Sequence, residues 1–491
     1  MKRYAIFLIL FLSLIAASCG GGGGAGGNTG GDSGGGDPPQ GTAGAPILTV
    51  SGAAPVAQTG ATLHGTVTPN GLETTALFEW GTDPTLAVNS ATAEQSMGAG
   101  TASLPVSAFL TGLTAGQTYY FRVVASNSAG TVRSDPLSFD IMPVPTFGWE
   151  TATPESQGMN TAALDSMWST LEARNTAAFL VIRNDKIVYE KYVSFNRNEK
   201  HYTASLAKAL VGGVSLMVAM QDGLISPDDL AHRYVPQWTA DPVKSTITVR
   251  ELATHTSGLD DAEEGGLPHE SLTGWKGDFW ARLPVPDDPF TISRDLAQVI
   301  FPPGTASYYS NPGYAMLGYA VTAALEGTPN EDLRSLIADR VMEPIGVPSS
   351  EWECGYGDTY TVDGLPLVPT WGGGNYSPDA VARVGRLILR QGDWDGVRII
   401  GSDVVQAATT RFAGLPGDAL LGFWGNTAVG GSRPFPSLPE DAVYGAGAGH
   451  QVLLIIPSLD VIMVRFGESL DGGEFDPALE NYLFAPLMAA F

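Results

Sequence analysis

The sequence predicts two folding units of different class. Residues 46–143 read as a small all-β sandwich, and residues 150–491 as an α/β unit in which helices flank an antiparallel sheet. Three observations predict this. The first stretch consists of short alternating apolar runs broken by Gly, Pro and Asn at intervals of roughly 8–12 residues. The second carries hairpin signals at both ends, with long stretches of helical periodicity between them. Met142-Pro143-Val144-Pro145 separates the two as a linker. At 491 residues the chain has length enough for two or three domains with real cores.

The N-terminus precedes both units. Met1-Lys2-Arg3 is basic and Tyr4 to Ala17 is almost entirely apolar, too short to span a bilayer but suited to a signal-peptide core. The run closes with Ala16-Ala17-Ser18-Cys19, which resembles a bacterial lipoprotein cleavage site. That resemblance implies a leader over 1–18, lipidation of Cys19 and membrane attachment. Glycine fills 12 of the 17 positions from Gly20 to Gly36. Such a segment buries nothing, so 19–45 is expected to be a tether with a reach of about 30 Å. Gly20 after the cysteine, by resemblance to the Gram-negative sorting pattern, points to the outer membrane.

Within the β unit, Ala61 to Val67 alternates, Pro69-Asn70-Gly71 turns, and Ala76 to Trp80 alternates again. Tyr119 to Ala125 is a third strand. Leu113 with Tyr119 six residues on resembles the tyrosine corner of fibronectin type III domains, and Trp80 is placed as the inter-sheet tryptophan. His64 stands alone and reads as an exposed strand residue. The module carries no evident chemistry and is expected to be a spacer, with carbohydrate or protein binding as the alternative.

The large unit opens with a helical stretch, Thr161 to Arg174, then a hairpin from Ala178 to Tyr189 turning at Asn184-Asp185. A second hairpin, Val452 to Arg465, turns at Pro457-Ser458-Leu459-Asp460. One sheet joined from both ends of the unit accounts for this pattern. The chemistry begins at Ser205-Leu206-Ala207-Lys208. Leu206, Leu210, Val214, Met217 and Val218 recur at helical spacing, so Ser205 is expected near a helix N-terminus with the Lys208 amine one turn away on the same face. A serine hydroxyl needs a base, and a lysine serves only if burial and the positive helix end lower its pKa. Alone, S-x-x-K is weak, since about one or two occurrences arise by chance in such a chain.

Tyr309-Ser310-Asn311, after Phe301-Pro302-Pro303-Gly304 and ahead of an apolar helix from Ala315 to Leu325, changes that reading. A tyrosine beside a lysine can shuttle a proton, and an asparagine can fix both lysine and substrate. Between the two boxes, His255-Thr256-Ser257-Gly258-Leu259 reads as a helix end capped by glycine, with His255 structural. Taken in this order and spacing, these boxes and the terminal hairpin resemble the class C β-lactamase-related serine hydrolases, which include β-lactamases, D-Ala-D-Ala peptidases, esterases and amidases. The resemblance covers essentially all of 150–491 and implies the family's α/β fold with a helical subdomain. It implies Ser205 as acylated nucleophile, Lys208 as base or proton partner, Tyr309 as general acid/base and Asn311 as positioning group.

One box departs from the family pattern. Gly445-Ala446-Gly447 stands where β-lactamases carry Lys-Thr-Gly, so the cation and hydroxyl that hold a substrate carboxylate are missing. Backbone N–H groups of Ser205 and Ala448 are expected to form the oxyanion hole. His450 is expected to be structural rather than a substitute cation. Trp371-Gly372-Gly373-Gly374 and the helix from Ala380 to Gln391 are read as architectural, and Cys354 as a buried free thiol.

These readings converge on a tethered serine hydrolase that cleaves esters or amides through an acyl-enzyme, more esterase- or amidase-like than an efficient β-lactamase. The alternatives are a D-Ala peptidase or penicillin-binding protein, or a non-catalytic binding or sensor protein on the same fold. No cofactor or metal is expected. A net charge of −25 argues against nucleic acid. Of that charge, residues 150–491 carry 22 Lys+Arg against 43 Asp+Glu. Asp260, Asp261, Glu263 and Glu264 are expected at the mouth of the site, where they would repel anionic substrates.

Overall fold

The structure, a computed structural model, describes residues 43–53, 60–141, 147–472 and 474–491. The expected leader, Cys19, the tether up to residue 42 and the Met142–Pro145 linker lie outside the described residues.

In residues 47–140 two antiparallel sheets share one core. One pairs Ile47–Ser51, Ala61–Thr68 and Leu104–Leu110, and the other is built on Thr74–Gly81 and Thr118–Asn127. Alternation produces this directly: Ala61, Leu63 and Val67 are buried, while His64 between them is half-buried and faces away from the core. A Cβ on Gly65 would meet Val123 Cγ2 at 2.6 Å and the Thr49 carbonyl at 2.8 Å, so the close approach there requires glycine. Tyr119 Oη accepts the Thr114 N–H at 3.0 Å, as its spacing from Leu113 predicts. Trp80 departs from expectation. It is only partly buried next to the strand end, and Phe78, packed on Phe121 at 6.3 Å, fills the interior instead.

The large unit is organised by a seven-stranded sheet. Its strands are β1 (Glu150–Thr151), β2 (Thr176–Arg183), β3 (Lys186–Tyr192), β4 (Trp424–Gly425), β5 (Val443–Gly447), β6 (Gln451–Ile456) and β7 (Val461–Gly467). The order is β1-β3-β2-β7-β6-β5-β4, and every pairing is antiparallel except β1 with β3. The two terminal hairpins therefore meet at β2–β7, with Leu180 opposite Val464, as the sequence predicts. Both faces are covered. Leu180 and Ile182 join one apolar cluster, while Phe179 and Val181 join another on the opposite side, so the strands read as continuous apolar runs.

The second cluster is covered by α1 (Thr161–Glu172), whose N-cap Asn160 accepts from the Ala163 N–H at 3.0 Å, and by the C-terminal helical segments. The first is covered by α2 (Ala204–Gln221), α3 (Val249–Ala253), α4 (Asn311–Ala324) and α5 (Pro378–Leu389). Helix α3 ends earlier than a Gly258 cap implies. His255 itself takes the left-handed conformation, with φ 57°, and Gly258 serves the following turn, where a Cβ would strike the Phe301 carbonyl at 2.2 Å.

Arg465 on β7 is fully buried, and each of its N–H groups is used. It donates to Thr176 Oγ1 and to the carbonyls of Gly449, His450 and Glu468. It thereby braces the turn between β5 and β6 against β2. Arg465→Ala would leave these acceptors unpaired in a desolvated place, and denaturant melts are expected to show a loss of about 3 kcal/mol or more. A loss below about 1 kcal/mol would show the brace to be unimportant.

Candidate active site

Ser205 enters the site from a strained turn. Ala204 has φ 48°, a left-handed conformation that an alanine adopts at a cost of about 1 kcal/mol or more, and Thr203 Oγ1 anchors the approach by donating to the Gly373 carbonyl at 2.7 Å. From Ala204 the chain winds tightly through Leu206, widens over Lys208–Gly213 and becomes α-helical at Val214. One turn after Ser205, Lys208 is buried at 4% exposure.

The lysine has three partners. Its Nζ donates to Asn311 Oδ1 at 2.7 Å and to the Trp371 carbonyl, and lies 3.4 Å from Ser205 Oγ. The first two are oxygens that can only accept. A neutral amine has two N–H groups and one lone pair, so with both N–H groups committed there the lone pair faces Ser205. Burial pushes the Lys208 ammonium down to about 7, against the opposing pull of Asp261 and Glu263.

Asn311 is held in turn. It opens helix α4, where Ser310 caps by accepting the Gly313 N–H at 2.9 Å. Its amide donates from Nδ2 to Asp261 Oδ1 at 3.0 Å, which fixes Oδ1 toward the lysine. The same carboxylate oxygen accepts the N–H groups of Asn311 and Ala262, each at 2.8 Å. Asp261 is buried, and desolvation raises its carboxyl although the Asn311 bonds and Lys208 oppose this.

Tyr309 Oη donates to Ser205 Oγ at 2.8 Å, and Lys208 Nζ stands 4.6 Å from the centre of the Tyr309 ring. Burial holds the phenol well above its usual pKa, reinforced by Asp261 and Glu263. His255 stacks on that ring at 4.7 Å, and its Nδ1 accepts the Ser310 N–H at 3.1 Å. Burial and the lysine charge keep the imidazole neutral, which agrees with a structural role.

Strand β5 closes the other side. A Cβ on Gly447 would stand 2.9 Å from Ser205 N and 2.3 Å from the Thr203 carbonyl, so only glycine lets the strand cross the start of α2. Ala448 follows it and lines, with Ser205 and Tyr309, a cavity of about 440 Å³. His450 does not enter this cavity lining. Its Nδ1 accepts the Leu470 N–H at 3.2 Å and its ring stacks on Phe475 at 4.4 Å. Cys354 is a buried free thiol 3.6 Å from Tyr376 Oη. Among the described residues, no group of three or more His, Cys, Asp or Glu is placed to hold a metal ion.

A beta-lactamase family model matches residues 164–484. The chain belongs to the beta-lactamase family. It is 26% identical over 198 residues to a Bacillus subtilis (strain 168) protein named as penicillin-binding protein PbpX, covering 38% of this chain and 43% of that one. An Escherichia coli O157:H7 protein named as a D-alanyl-D-alanine carboxypeptidase is 22% identical over 224 residues, covering 40% and 48%. The chain thus spans less than half the length of these curated relatives. Among solved structures, one named as a 6-aminohexanoate-dimer hydrolase from Bacillus anthracis superposes with a TM-score of 0.52 at 18% identity, covering 68% of this chain and 86% of that one. A family VIII carboxylesterase does so at 0.50 and 18%, covering 69% and 99%. These likenesses describe the fold.

In this beta-lactamase-family site the structure brings together Ser205, Lys208, Tyr309 and Asn311, and sets Ala448 in the same cavity. Two participants escaped the sequence reading. Trp371 supplies a backbone carbonyl, which no side-chain pattern can reveal. Asp261 was counted with the acids expected at the mouth, but it turns inward. Asp260 instead pairs with Lys276 at 3.2 Å, and only Glu263 of that group reaches the cavity.

Asp261→Asn tests the electrostatic link. The Asp261 charge favours the Lys208 ammonium, so removing it lowers the lysine pKa further. The acid limb of kcat/KM, where Lys208 loses its proton, is therefore expected to move to lower pH in the variant. A limb that stays in place or moves upward would contradict the link.

Proposed function

We propose that the protein is a serine hydrolase that cleaves ester or amide bonds through an acyl-enzyme on Ser205, tethered to a bacterial envelope, at the outer membrane, by lipid on Cys19. The observation that carries the chemistry is the lysine held by two acceptor-only oxygens with its third direction on the Ser205 hydroxyl. Ser205 Oγ attacks the substrate carbonyl carbon and its proton passes to Lys208. The oxyanion that forms is stabilised by the N–H groups of Ser205 and Ala448. Tyr309, kept protonated by its surroundings, donates its proton to the departing alcohol or amine. The Lys208 ammonium then returns a proton to Tyr309. Water attacks the acyl-enzyme by the same route in reverse, and Ser205 is released.

Esters and simple amides fit this site better than β-lactams or peptides ending in a carboxylate. Strand β5 offers Gly445-Ala446-Gly447 with no cation, and the cavity lining contains carboxylates but no lysine or arginine. The D-Ala peptidase reading draws support from the names of the curated relatives. It requires the cavity to hold a carboxylate beside its own acids. The fibronectin type III-like module fits a spacer between tether and enzyme.

A fluorophosphonate probe is expected to label the wild type and not Ser205→Ala, with both proteins equally folded. Equal labelling of both, or of neither, would favour a non-catalytic binding protein. Short-chain 4-nitrophenyl esters are expected to turn over with kcat/KM at least about a hundredfold above that of cephalosporins, a difference of about 2.7 kcal/mol in transition-state stabilisation. Efficient cephalosporin turnover would overturn the ester preference.

A further inference from the structure

The cavity that exposes Ser205 is lined by three carboxylates from three separate stretches of chain, Glu263, Asp418 and Asp476. Glu263 has His269 Nε2 at 3.7 Å. Asp418 and Asp476 form no ion pair among the described residues. Arg411 acts on Asp418 only from a distance, because its guanidinium donates to the carbonyls of Leu415 and Gly417. Asp476 lies in the first turn of the short helix Phe475–Leu479, where free N–H groups favour a negative charge. Asp418 has no helix start to support it.

Desolvation raises both carboxyls, and the Asp476 charge raises Asp418 further. Two like charges, partly buried and with no direct ion pair, are costly to the fold, and a cation between them relieves that cost. The walls suit a cation as well. Tyr444 is 5% exposed, its hydroxyl has no hydrogen-bond partner among the described residues, and the fields of both carboxylates act on it. Trp424 and Phe475 line the same cavity, and aromatic faces attract cations. Because the carboxylates do not converge into a metal-binding group, the arrangement fits a diffuse organic cation better than a metal ion.

We infer that the substrates of this site carry a protonated or quaternary amine, held by Asp418 and Asp476 against the aromatic wall while Ser205 attacks the carbonyl. This rests on the serine hydrolase reading above and names its substrate class. The cation would sit on the side of β5 and the Phe475 helix, leaving the carbonyl to the Ser205 side of the cavity.

Three 4-nitrophenyl esters separate charge from shape: that of 4-(trimethylammonio)butanoic acid, that of its uncharged isostere 5,5-dimethylhexanoic acid, and the monoester of glutaric acid. At low salt kcat/KM is expected to fall in that order, the cationic ester exceeding its isostere by at least about tenfold, which corresponds to about 1.4 kcal/mol. The advantage should lie mainly in KM and shrink in high salt. In Asp418→Asn/Asp476→Asn, and partly in each single variant, the ratio of cationic to neutral kcat/KM should fall toward one. Equal rates for the cationic ester and its isostere, or a ratio unchanged in the double variant, would overturn the inference while leaving the serine hydrolase reading intact. Should no ester be turned over, the ester-cleaving reading fails on its own. Titration calorimetry with propyltrimethylammonium then decides the charge: binding to the wild type that is lost in the double variant supports it, and no binding to the wild type overturns it.

Discussion

A lysine amine removed from water and held by two oxygens that cannot donate is the constraint on which the rest of this site depends. A solvated lysine at neutral pH is an ammonium and takes no proton from a serine. Here Asn311 Oδ1 and the Trp371 carbonyl receive two N–H groups while burial works against the charge. Each neighbouring feature maintains that arrangement. Asp261 turns the Asn311 amide, the Ser310 cap sets the start of α4, and the left-handed Ala204 delivers Ser205 onto the face where the amine waits. The placement of Lys208 is thus a problem in hydrogen-bond direction solved by four separated segments of chain.

The sheet makes the convergence possible. Because β2 from one end of the unit pairs with β7 from the other, the strands after residue 440 are fixed against those before 192. Buried Arg465 then ties the β5–β6 turn to β2, holding the edge of the cavity that faces Ser205. Gly447 completes the fit by letting the strand lie directly on the helix start.

Much of this was legible in the sequence because it follows from periodicity and short spacings. The two hairpins, the helix after Ser205 and the Tyr119 bond to the Thr114 N–H all rest on residues within one or two turns of each other. What could not be read depends on distant contacts. Nothing local distinguishes Asp261, which turns inward, from Asp260, which pairs with Lys276, and a backbone carbonyl such as that of Trp371 has no sequence signature. Trp80 failed as the buried tryptophan because alternation gives the strand face but not how near the strand end a residue falls. The acidity was counted correctly but placed wrongly: the carboxylates that reach the cavity come mainly from Asp418 and Asp476, over 150 residues beyond the cluster at 260–264.

The site depends on the charge state of Lys208, which can be observed directly. Selective labelling of lysine, with Lys208→Arg to assign the resonance, allows its side chain to be titrated by NMR in the folded protein. A pKa near 7 is expected, at least two units below the ordinary lysine value of about 10.4. A Lys208 that stays an ammonium up to about pH 10 would contradict it.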